Sequence, residues 1–443
     1  MSYEGQKWTQ FYSASSVCTP SRAALMTGRL PIRNGMIGKK YRVLFENSDF
    51  GIPESEVTIA EKLKENGYKT AAIGKWHLGH KNKYLPTNNG FDYYYGIPYS
   101  NDMNSINGVT CCPGNNYWPQ YEKNPINSDN YNVPLMENNK IIERPADQTT
   151  ITKRFTEKTI DKINELKDEK FFIYLAHSLP HIPLYASEDF LGKSKNGLYG
   201  DVIEEIDHGM GAIISELKKY NLDKNTIVVF TSDNGPWLPF ETHGGSAGLL
   251  REGKGMTWEG GQRVPGIFWG ADIKPGVIDE IGSTMDLLPT IVDLSNSEKI
   301  SDRVIDGVNI KHSFIQGMSA SRLLGLDGYY ASNRISAGLM LILPKVIYPL
   351  HTHLVKEFYY CLSGKLLIQH DIDGKKFILD EGEISITPEG KLHSLEVVGN
   401  TPVLLLYSWL GNLNAPITIW NKMKSERWEG YSWTRLPGEK WKR

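Results

Sequence analysis

The chain has 443 residues, of which 40% are hydrophobic, and a formal net charge of −2. This length is enough for about two or three domains with separate cores. The balanced charge gives no electrostatic case for a nucleic acid or an anionic membrane as a partner, and no apolar run reaches the ~18 residues of a membrane span. The 4 cysteines are too few for a disulfide framework.

Residues up to 316 alternate between predicted helices and strands. Apolar residues recur at helical spacing over 58–66, 160–166 and 203–217. Short apolar runs, which predict buried strands, cover 70–73, 171–176 and 226–231. Polar clusters follow these strands in the chain. This order predicts an open α/β sheet, in which ligands bind beyond the carboxyl ends of the strands.

From residue 329 the pattern changes to short runs in which polar and apolar residues alternate. These runs cover 357–362, 365–370 and 382–386. Short alternating runs of this kind are typical of a small all-β barrel or sandwich. The sequence therefore predicts an α/β domain over 1–316, a small and polar linker over 317–328, and a β-barrel domain with a C-terminal tail over 329–443.

The segment 18–22, Cys-Thr-Pro-Ser-Arg, is followed by Thr-Gly-Arg at 27–29 and has the form C-x-P-S-R-x(4)-T-G-R. It resembles the signature of type I sulfatases, which implies an alkaline-phosphatase-like α/β sheet sandwich. In that family a formylglycine-generating enzyme oxidises the cysteine to an aldehyde, and the hydrate of this aldehyde attacks sulfur. A buried cysteine alone is more often a plain thiol. The fixed positions around Cys18 favour the sulfatase interpretation.

The same resemblance implies roles for residues near this nucleophile. Arg22 would hold the hydrate. Lys75 and His77, in Gly-Lys-Trp-His-Leu-Gly, would contact the hydrate and the sulfate group. His181, in His-Ser-Leu-Pro-His-Ile-Pro, is similar to the histidine that binds sulfate and protonates the leaving group. Taken singly, such a lysine is usually on the surface and such a histidine is often structural.

The resemblance extends to the substrate and to a metal ion. Ser100 would donate a hydrogen bond to the substrate, and Lys254, in Arg-Glu-Gly-Lys-Gly-Met-Thr-Trp, would bridge the sulfate and the leaving oxygen. Asp233 and Asn234 follow a predicted strand and match the calcium ligands of the family, since oxygen donors suit Ca²⁺. Alone, Asp-Asn-Gly at 233–235 would indicate a turn. The joint order of all these residues indicates descent from a sulfatase.

Two departures from the family pattern affect the expected activity. Members begin with a strand that ends in an Asp-Asp pair of calcium ligands, and no such strand precedes the motif here. Asp233 and Asn234 bring one negative charge, so a weak calcium site, impaired activity and an exposed sheet edge are expected. The family's C-terminal subdomain should also follow 308–311, where a different domain begins. A truncated gene model or a fusion of two gene fragments explains both departures.

His351, His353 and Glu357 fit the pattern H-x-H-x(3)-E, and the segment 382–393, which ends at His393, fits G-x(5)-P-x-G-x(2)-H. Both patterns resemble the cupin motifs. The two histidines of the first motif lie two apart on a predicted strand and point to one face, which the glutamate is expected to share. Three imidazoles and a carboxylate suit Fe, Mn, Ni, Zn or Cu. A barrel lined with histidines that bind no metal is the alternative.

Tyr359 lies two residues beyond Glu357 and is also expected to face inward. This region resembles dimethylsulfoniopropionate lyases, cupins in which a tyrosine at this place removes the proton α to a carboxylate. Residues 404–413 look like the closing strand of that family. A tyrosine here more often packs the barrel, and cupin dioxygenases, isomerases and sugar-binding cupins are the alternatives.

The preferred interpretation is a sulfuric ester hydrolase with a formylglycine derived from Cys18, fused to a metal-binding cupin. The runner-up is a metal-dependent cupin lyase that acts on dimethylsulfoniopropionate or a similar small organic acid, with an inactive sulfatase half. A third, non-enzymatic interpretation is a degenerate fusion whose first half binds sulfated ligands or nothing. The expected partners are a small-molecule or carbohydrate sulfate ester and the formylglycine-generating enzyme, and a homodimer through the cupin stays open.

The first residues show no basic segment followed by an apolar one, so the sequence predicts no signal peptide. The chain as written is therefore expected in the cytoplasm. If a leader precedes Met1, it is expected in the periplasm or outside the cell.

Overall fold

The computed structural model describes residues 1–38, 42–106, 127–315, 318–325, 330–331, 334–344, 346–372, 374–411, 413, 417–422 and 428–433. The chain divides into two compact units. The first consists of Met1–Ile273 and Ile281–Lys311, and the second of Lys274–Glu280 and His312–Arg443. Across the described part of the chain, no helix is both long enough and apolar enough to cross a membrane.

The first unit mixes helices with short strands. Its strands are β1 (Gln6–Tyr12), β2 (Lys69–Gly74), β3 (Tyr93–Gly96), β4 (Leu135–Glu137), β5 (Lys140–Glu143), β6 (Phe171–Ala176), β7 (Ile227–Thr231) and β8 (Gly266–Gly270), while β9 (Gly276–Ser283) contains residues of both units. Its helices are α1 (Cys18–Thr27), α2 (Ile59–Glu65), α3 (Ile151–Leu166), α4 (Gly197–Lys219), α5 (Glu259–Gln262) and α6 (Leu287–Leu294).

The predicted alternation of helices and strands is confirmed, and local sequence explains where the elements begin. Thr58 caps α2 in a reciprocal capping box: its hydroxyl accepts a hydrogen bond from the Glu61 N–H, and its own N–H donates to the Glu61 carboxylate. The apolar faces of α3 and α4 pack together against Trp269 of β8. These helices therefore cover the sheet strands whose ends carry the predicted site residues.

The strands that precede the predicted site residues belong to two sheets of the first unit. In one, β3, β2 and β6 run parallel in that order, and β4 and β5 extend it. In the other, β8 runs antiparallel to both β7 and β1. Both β6 and β7 end their sheets, and most of their side chains are half-buried although the sequences are apolar. Among the described residues, β6 and β7 are therefore edge strands of the first unit.

The second unit consists mainly of strands. They are β10 (Met318–Gly325), β11 (Tyr330–Ala331), β12 (Ile335–Ile342), β13 (Ile347–His353), β14 (Val355–Ser363), β15 (Leu366–His370), β16 (Lys376–Leu379), β17 (Ile384–Thr387), β18 (His393–Val397), β19 (Val403–Gly411), β20 (Ile417–Lys422) and β21 (Trp428–Trp433), preceded by α7 (Lys311–Ile315). They form two six-stranded sheets with the orders β11-β10-β12-β19-β14-β17 and β16-β15-β18-β13-β20-β21.

Strand alternation builds the interior of this unit. Along β14 every second side chain is buried, including Glu357, Tyr359 and Cys361. Tyr359 and Cys361 pack with Leu366 of β15 and Leu405 of β19, so both sheets contribute to one core. The all-β prediction for this region is thereby confirmed, and the arrangement agrees with a cupin barrel.

A strand lies inside the range 317–328, which the sequence predicted as a linker. β10 lies inside this range, and its backbone pairs with β12 from Met318 to Leu324. The prediction used the small and polar side chains of the segment. Backbone pairing does not require large or apolar side chains, so composition alone could not separate a linker from a strand.

Candidate functional site

Cys18 is the first residue of α1, and only 2% of its surface is exposed. Lys75 directly follows β2, and its ammonium Nζ lies 3.6 Å from Cys18 Sγ and 3.1 Å from Ser100 Oγ. Both Lys75 and Ser100 are buried as well. The start of α1, the end of β2 and the segment after β3 therefore bring together three predicted site residues that are distant in sequence.

The electrostatics around Cys18 favour a negative charge. Burial of the thiol raises its pKa, whereas the positive charges of Lys254 and Lys75 lower it. Hydrogen bonds from His181 and His77 lower it further. The resulting pKa lies well below the ordinary value of a cysteine. The pocket around residue 18 is thus built to stabilise an anion.

Arg22 ties this pocket to the end of β7. Its Nε donates to Asp233 Oδ2 at 2.8 Å, and its Nη1 donates to the Lys75 carbonyl at 2.7 Å. Burial lowers the pKa of the Arg22 guanidinium, but the charge and hydrogen bond of Asp233, together with the charges of Tyr174 and Cys18, raise it above its ordinary value. The resemblance to sulfatases implied that Arg22 holds the aldehyde hydrate. In the structure its hydrogen bonds connect α1 to the residues that follow β2 and β7.

Lys75 and His77 are both held away from water. Burial lowers the pKa of Lys75, and the negative charge of Cys18 partly restores it. Burial also lowers the pKa of His77, with the Lys75 charge acting in the same direction. The backbone of His77 has a positive φ of 61°, and its Nε2 lies 2.8 Å from the Leu44 carbonyl. A histidine in this conformation costs some strain, which the surrounding contacts must offset.

His181 has a carboxylate neighbour that the sequence analysis did not select. Asp102 Oδ1 lies 3.9 Å from His181 Nδ1, which is also 2.7 Å from the Ile182 carbonyl. Burial raises the pKa of Asp102, but the charge of His181 and a hydrogen bond from Ser100 lower it below its usual range. Asp102 follows Ser100 by two residues, and its position in that polar segment was the available signal.

Asp233 and Asn234 provide too few oxygen ligands for a calcium ion. The Asp233 carboxylate already accepts the Arg22 hydrogen bond, while Asn234 Oδ1 is buried without a hydrogen-bond partner in the part of the chain that the structure describes. Ca²⁺ takes about 6–8 oxygen ligands, usually including several carboxylates. One carboxylate and one amide oxygen do not meet that requirement, so the described residues by themselves do not fit a firm calcium site.

His177, at the end of β6, predicts an acid-dependent loss of stability. Its side chain is half-buried, and both ring nitrogens are inaccessible and lack hydrogen-bond partners within the described residues. Burial lowers the pKa of His177 from 6.5 to about 4. Between these values the unfolded chain binds more protons than the folded one, so stability rises as the pH increases from 4 to 6.5. The difference corresponds to ~3 kcal/mol at most.

Replacement by leucine tests this expectation. His177→Leu should lose less stability than the wild type between pH 7 and pH 4.5, as measured by urea unfolding at both values. His208→Gln, which alters an exposed histidine of α4, is the control and should behave as the wild type. An unchanged pH dependence in His177→Leu would show that this ring does not set the acid sensitivity.

The second unit holds a compact group of metal-ligating residues. One donor atom each from His351, His353, Glu357 and His393 lies within 4.8 Å of every other, and all four side chains are buried. His351 and His353 end β13, Glu357 lies on β14, and His393 begins β18. The four residues predicted from the two cupin motifs are therefore brought together.

Hydrogen bonds orient the three histidines toward this group. Their Nδ1 atoms lie 2.8–3.1 Å from backbone carbonyls, those of Pro349, Val355 and Lys391. A carbonyl only accepts, so each Nδ1 carries a proton, and a ring with no second proton presents its Nε2 lone pair to the group. The Nε2 atoms of His353 and His393 lie 3.2 Å and 2.6 Å from Glu357 Oε2.

This arrangement fits a metal cation. Lone pairs of neutral imidazoles would repel a carboxylate oxygen at these distances, and a cation between them removes the repulsion. His351 Nε2 is buried and has no hydrogen-bond partner among the described residues, so it is free to act as a ligand. Three nitrogens and one oxygen suit a divalent transition metal rather than Ca²⁺.

Aromatic side chains surround the other carboxylate oxygen. Glu357 Oε1 accepts a hydrogen bond from the Tyr359 hydroxyl at 2.5 Å and another from the Trp409 indole N–H. Burial and the Glu357 charge raise the pKa of Tyr359 well above its ordinary value, which favours the neutral phenol. Tyr348, whose ring centroid is 4.4 Å from that of His351, has a pKa raised to about 12 by burial.

Sequence reasoning missed Tyr348 and Trp409. Tyr348 precedes His351 by three residues on β13. In a regular strand, residues three apart point to opposite faces, so Tyr348 was not expected on the face of the two histidines. Trp409 lies within the run 404–413, which was noted as a strand but not as part of a site. Their contacts depend on how strands distant in sequence are paired.

Comparisons with known proteins agree with both halves of this description. The sulfatase family model matches residues 1–297, and the dimethylsulfoniopropionate lyase family model matches residues 261–405. The arylsulfatase of Hemicentrotus pulcherrimus is 36% identical over 328 residues, which are 72% of this chain and 57% of the relative. The N-acetylgalactosamine-6-sulfatase of Mus musculus is 38% identical over 347 residues, which are 76% of this chain and 64% of the relative.

Solved structures give the same assignment. The crystal structure of Ps i-CgsB in complex with k-i-k-neocarrahexaose matches with a TM-score of 0.59 at 30% identity, over 76% of this chain and 74% of that one. The chain therefore belongs to the sulfatase family, and its C-terminal part is a domain similar to dimethylsulfoniopropionate lyases. It spans 57% and 64% of the length of the two curated relatives.

Proposed function

We propose that the first unit hydrolyses sulfate esters through a formylglycine formed from Cys18. The observation that carries this proposal is the anion-stabilising pocket at residue 18, in which the charges of Lys254 and Lys75 lower the Cys18 pKa. A sulfate group carries negative charge on its non-bridging oxygens and would be held by the same cations. The substrate class is a small-molecule or carbohydrate sulfate ester, in line with the names of the relatives.

The modified residue and the side chains around it would have different roles in the reaction. As the hydrated aldehyde, residue 18 would supply the oxygen that attacks sulfur and a second hydroxyl whose deprotonation releases sulfate. Lys75 and Lys254 would neutralise the sulfate oxygens, and Ser100 would donate a hydrogen bond to the substrate. His181 would give a proton to the alcohol oxygen as its bond to sulfur breaks. Overall, water and the ester become an alcohol and hydrogen sulfate.

Two further groups support this geometry. His77 contributes a hydrogen bond at residue 18, and Asp102 lies where it can orient His181. The Arg22–Asp233 pair fixes α1 against the segment after β7. Because the described residues do not fit a firm calcium site, the side chains named above would act without help from a metal ion, and slow turnover is expected.

Hydrolysis of an aryl sulfate tests the proposal. The full chain, produced together with a formylglycine-generating enzyme, should release the phenol from 4-nitrophenyl sulfate at a measurable but low rate. The same chain produced without that enzyme is the control and should be inactive. Equal rates from both preparations would show that hydrolysis does not depend on maturation of Cys18.

A second candidate activity lies in the second unit. We infer that the metal group and its match to dimethylsulfoniopropionate lyases support a metal-dependent lyase that acts on this compound or a similar small organic acid. A bound Fe, Mn, Ni or Zn ion would act as a Lewis acid on the substrate. His351, His353, Glu357 and His393 would hold it. Tyr359, in the phenolate form that the charge of the bound cation would favour, would be the base that removes the proton α to the carboxylate.

Tyr359→Phe tests this candidate. The variant should keep its metal, since the phenol is not needed as a ligand and Trp409 still donates to Glu357. It should lose lyase activity because the proton acceptor is gone. Dimethyl sulfide release from dimethylsulfoniopropionate and elemental analysis measure the two effects. Unchanged release would exclude Tyr359 as the base, and no release by the wild type would exclude this substrate.

A further inference from the structure

Trp237 contacts two residues that the proposed function assigns to the substrate. The Lys254 Nζ atom is 4.5 Å from the centroid of the Trp237 ring, and the His181 ring centroid is 5.6 Å from it. We propose that Trp237 is a positioning residue, which holds the Lys254 ammonium and the His181 imidazole where they meet the sulfate ester. This inference rests on the proposed sulfatase function.

The backbone fixes the place where the indole and the ammonium meet. The Trp237 N–H donates to the Gly244 carbonyl at 3.0 Å, and the Lys254 N–H donates to the Pro236 carbonyl at 2.7 Å. Gly253 lies against the same carbonyl, where a Cβ atom would come within 2.2 Å of the oxygen. The segment that carries Lys254 is therefore bound directly to the segment that carries Trp237.

The chemistry of the contact suits an anion-binding lysine. In the described part of the chain, no carboxylate lies within ion-pair distance of the Lys254 ammonium. The face of an indole attracts a cation through its negative potential without bringing an opposite charge. The ring can thus orient the ammonium while its charge stays available, and Lys254 is the strongest charged contributor to the low pKa of Cys18.

The Trp237 ring also restricts His181. Trp237 packs on Phe240 with a centroid distance of 4.5 Å, and both belong to the apolar cluster around Ile182. His181 Nδ1 is already engaged by the Ile182 carbonyl, so the indole and this contact together limit rotation of the imidazole. Its Nε2 is then available to a leaving oxygen.

Sulfate binding tests the role of Trp237 without requiring turnover. Inorganic sulfate is titrated by calorimetry into the full chain, the variants Trp237→Leu and Trp237→Phe, and the control Trp258→Leu. Trp258 follows Lys254 by four residues, is 48% exposed and contacts Arg251. Trp237→Leu should weaken sulfate binding about 3- to 30-fold, Trp237→Phe should keep most of the affinity, and the control should match the wild type.

The outcomes separate this inference from the proposed function. Equal sulfate affinity in Trp237→Leu and the wild type would overturn the positioning role, even if the thermal midpoint falls. Sulfate binding that depends on Trp237, with no turnover after maturation, would keep the positioning role and overturn the hydrolase. Absence of sulfate binding in the wild type would overturn both.

Discussion

Cys18→Ala should abolish the hydrolysis of aryl sulfates. The substitution removes the atom from which the aldehyde is formed, and the remaining lysines and histidines have no nucleophile to assist. In enzymes that use a covalent nucleophile, removal of that nucleophile lowers the rate by a factor well above ~10³. The measurement is the rate of phenol release from 4-nitrophenyl sulfate by chains produced with the formylglycine-generating enzyme.

Cys361→Ala provides the matched control. Like Cys18, Cys361 is a buried free cysteine, but it lies in the core of the second unit. Its replacement should leave the rate of aryl sulfate hydrolysis unchanged. Retention of more than about a tenth of the rate by Cys18→Ala would contradict the assignment of the nucleophile.

His393→Ala should remove most of the bound transition metal from the full chain. His393 Nε2 points at Glu357 Oε2 within the four-residue group, so its loss leaves three of the four ligands. Elemental analysis of the purified chain should fall from about one metal ion per chain in the wild type to a small fraction of that value.

His370→Ala is the control for this substitution. His370 pairs directly with His393 across β15 and β18, yet its ring centroid is 6.5 Å from that of His393 and it is not a member of the group. Its replacement should leave the metal content unchanged. Equal metal loss from the two variants would mean that a change in the barrel, not the loss of a ligand, is responsible.

Motif spacing predicted the residues of the metal group but not the reason why they meet. The sequence analysis placed Glu357 on the same strand face as His351 and His353. In the structure β13 ends at His353 and β14 begins at Val355 in the other sheet. Glu357 reaches the histidines because both strands turn alternate side chains toward one interior. Residue spacing alone cannot show that the chain changes sheets at Leu354.

In the sulfatase half, too, some features could be predicted from the sequence and others could not. The helices and strands could be predicted from periodicity, and the meeting of Cys18, Lys75 and Ser100 from the resemblance to sulfatases. The engagement of Asp233 by Arg22 could not, because it depends on side-chain geometry between segments that are far apart in sequence. Trp237 and Asp102 were missed for the same reason, as their neighbours come from other loops.

Peptide mass spectrometry of residue 18 tests the central claim most directly. After production of the chain with a formylglycine-generating enzyme, the peptide that contains Cys18 should be lighter, because the side chain loses its sulfur and gains an oxygen. The aldehyde should also react with a hydrazine reagent. A Cys18 peptide that keeps its sulfur under these conditions would contradict a formylglycine mechanism for this chain.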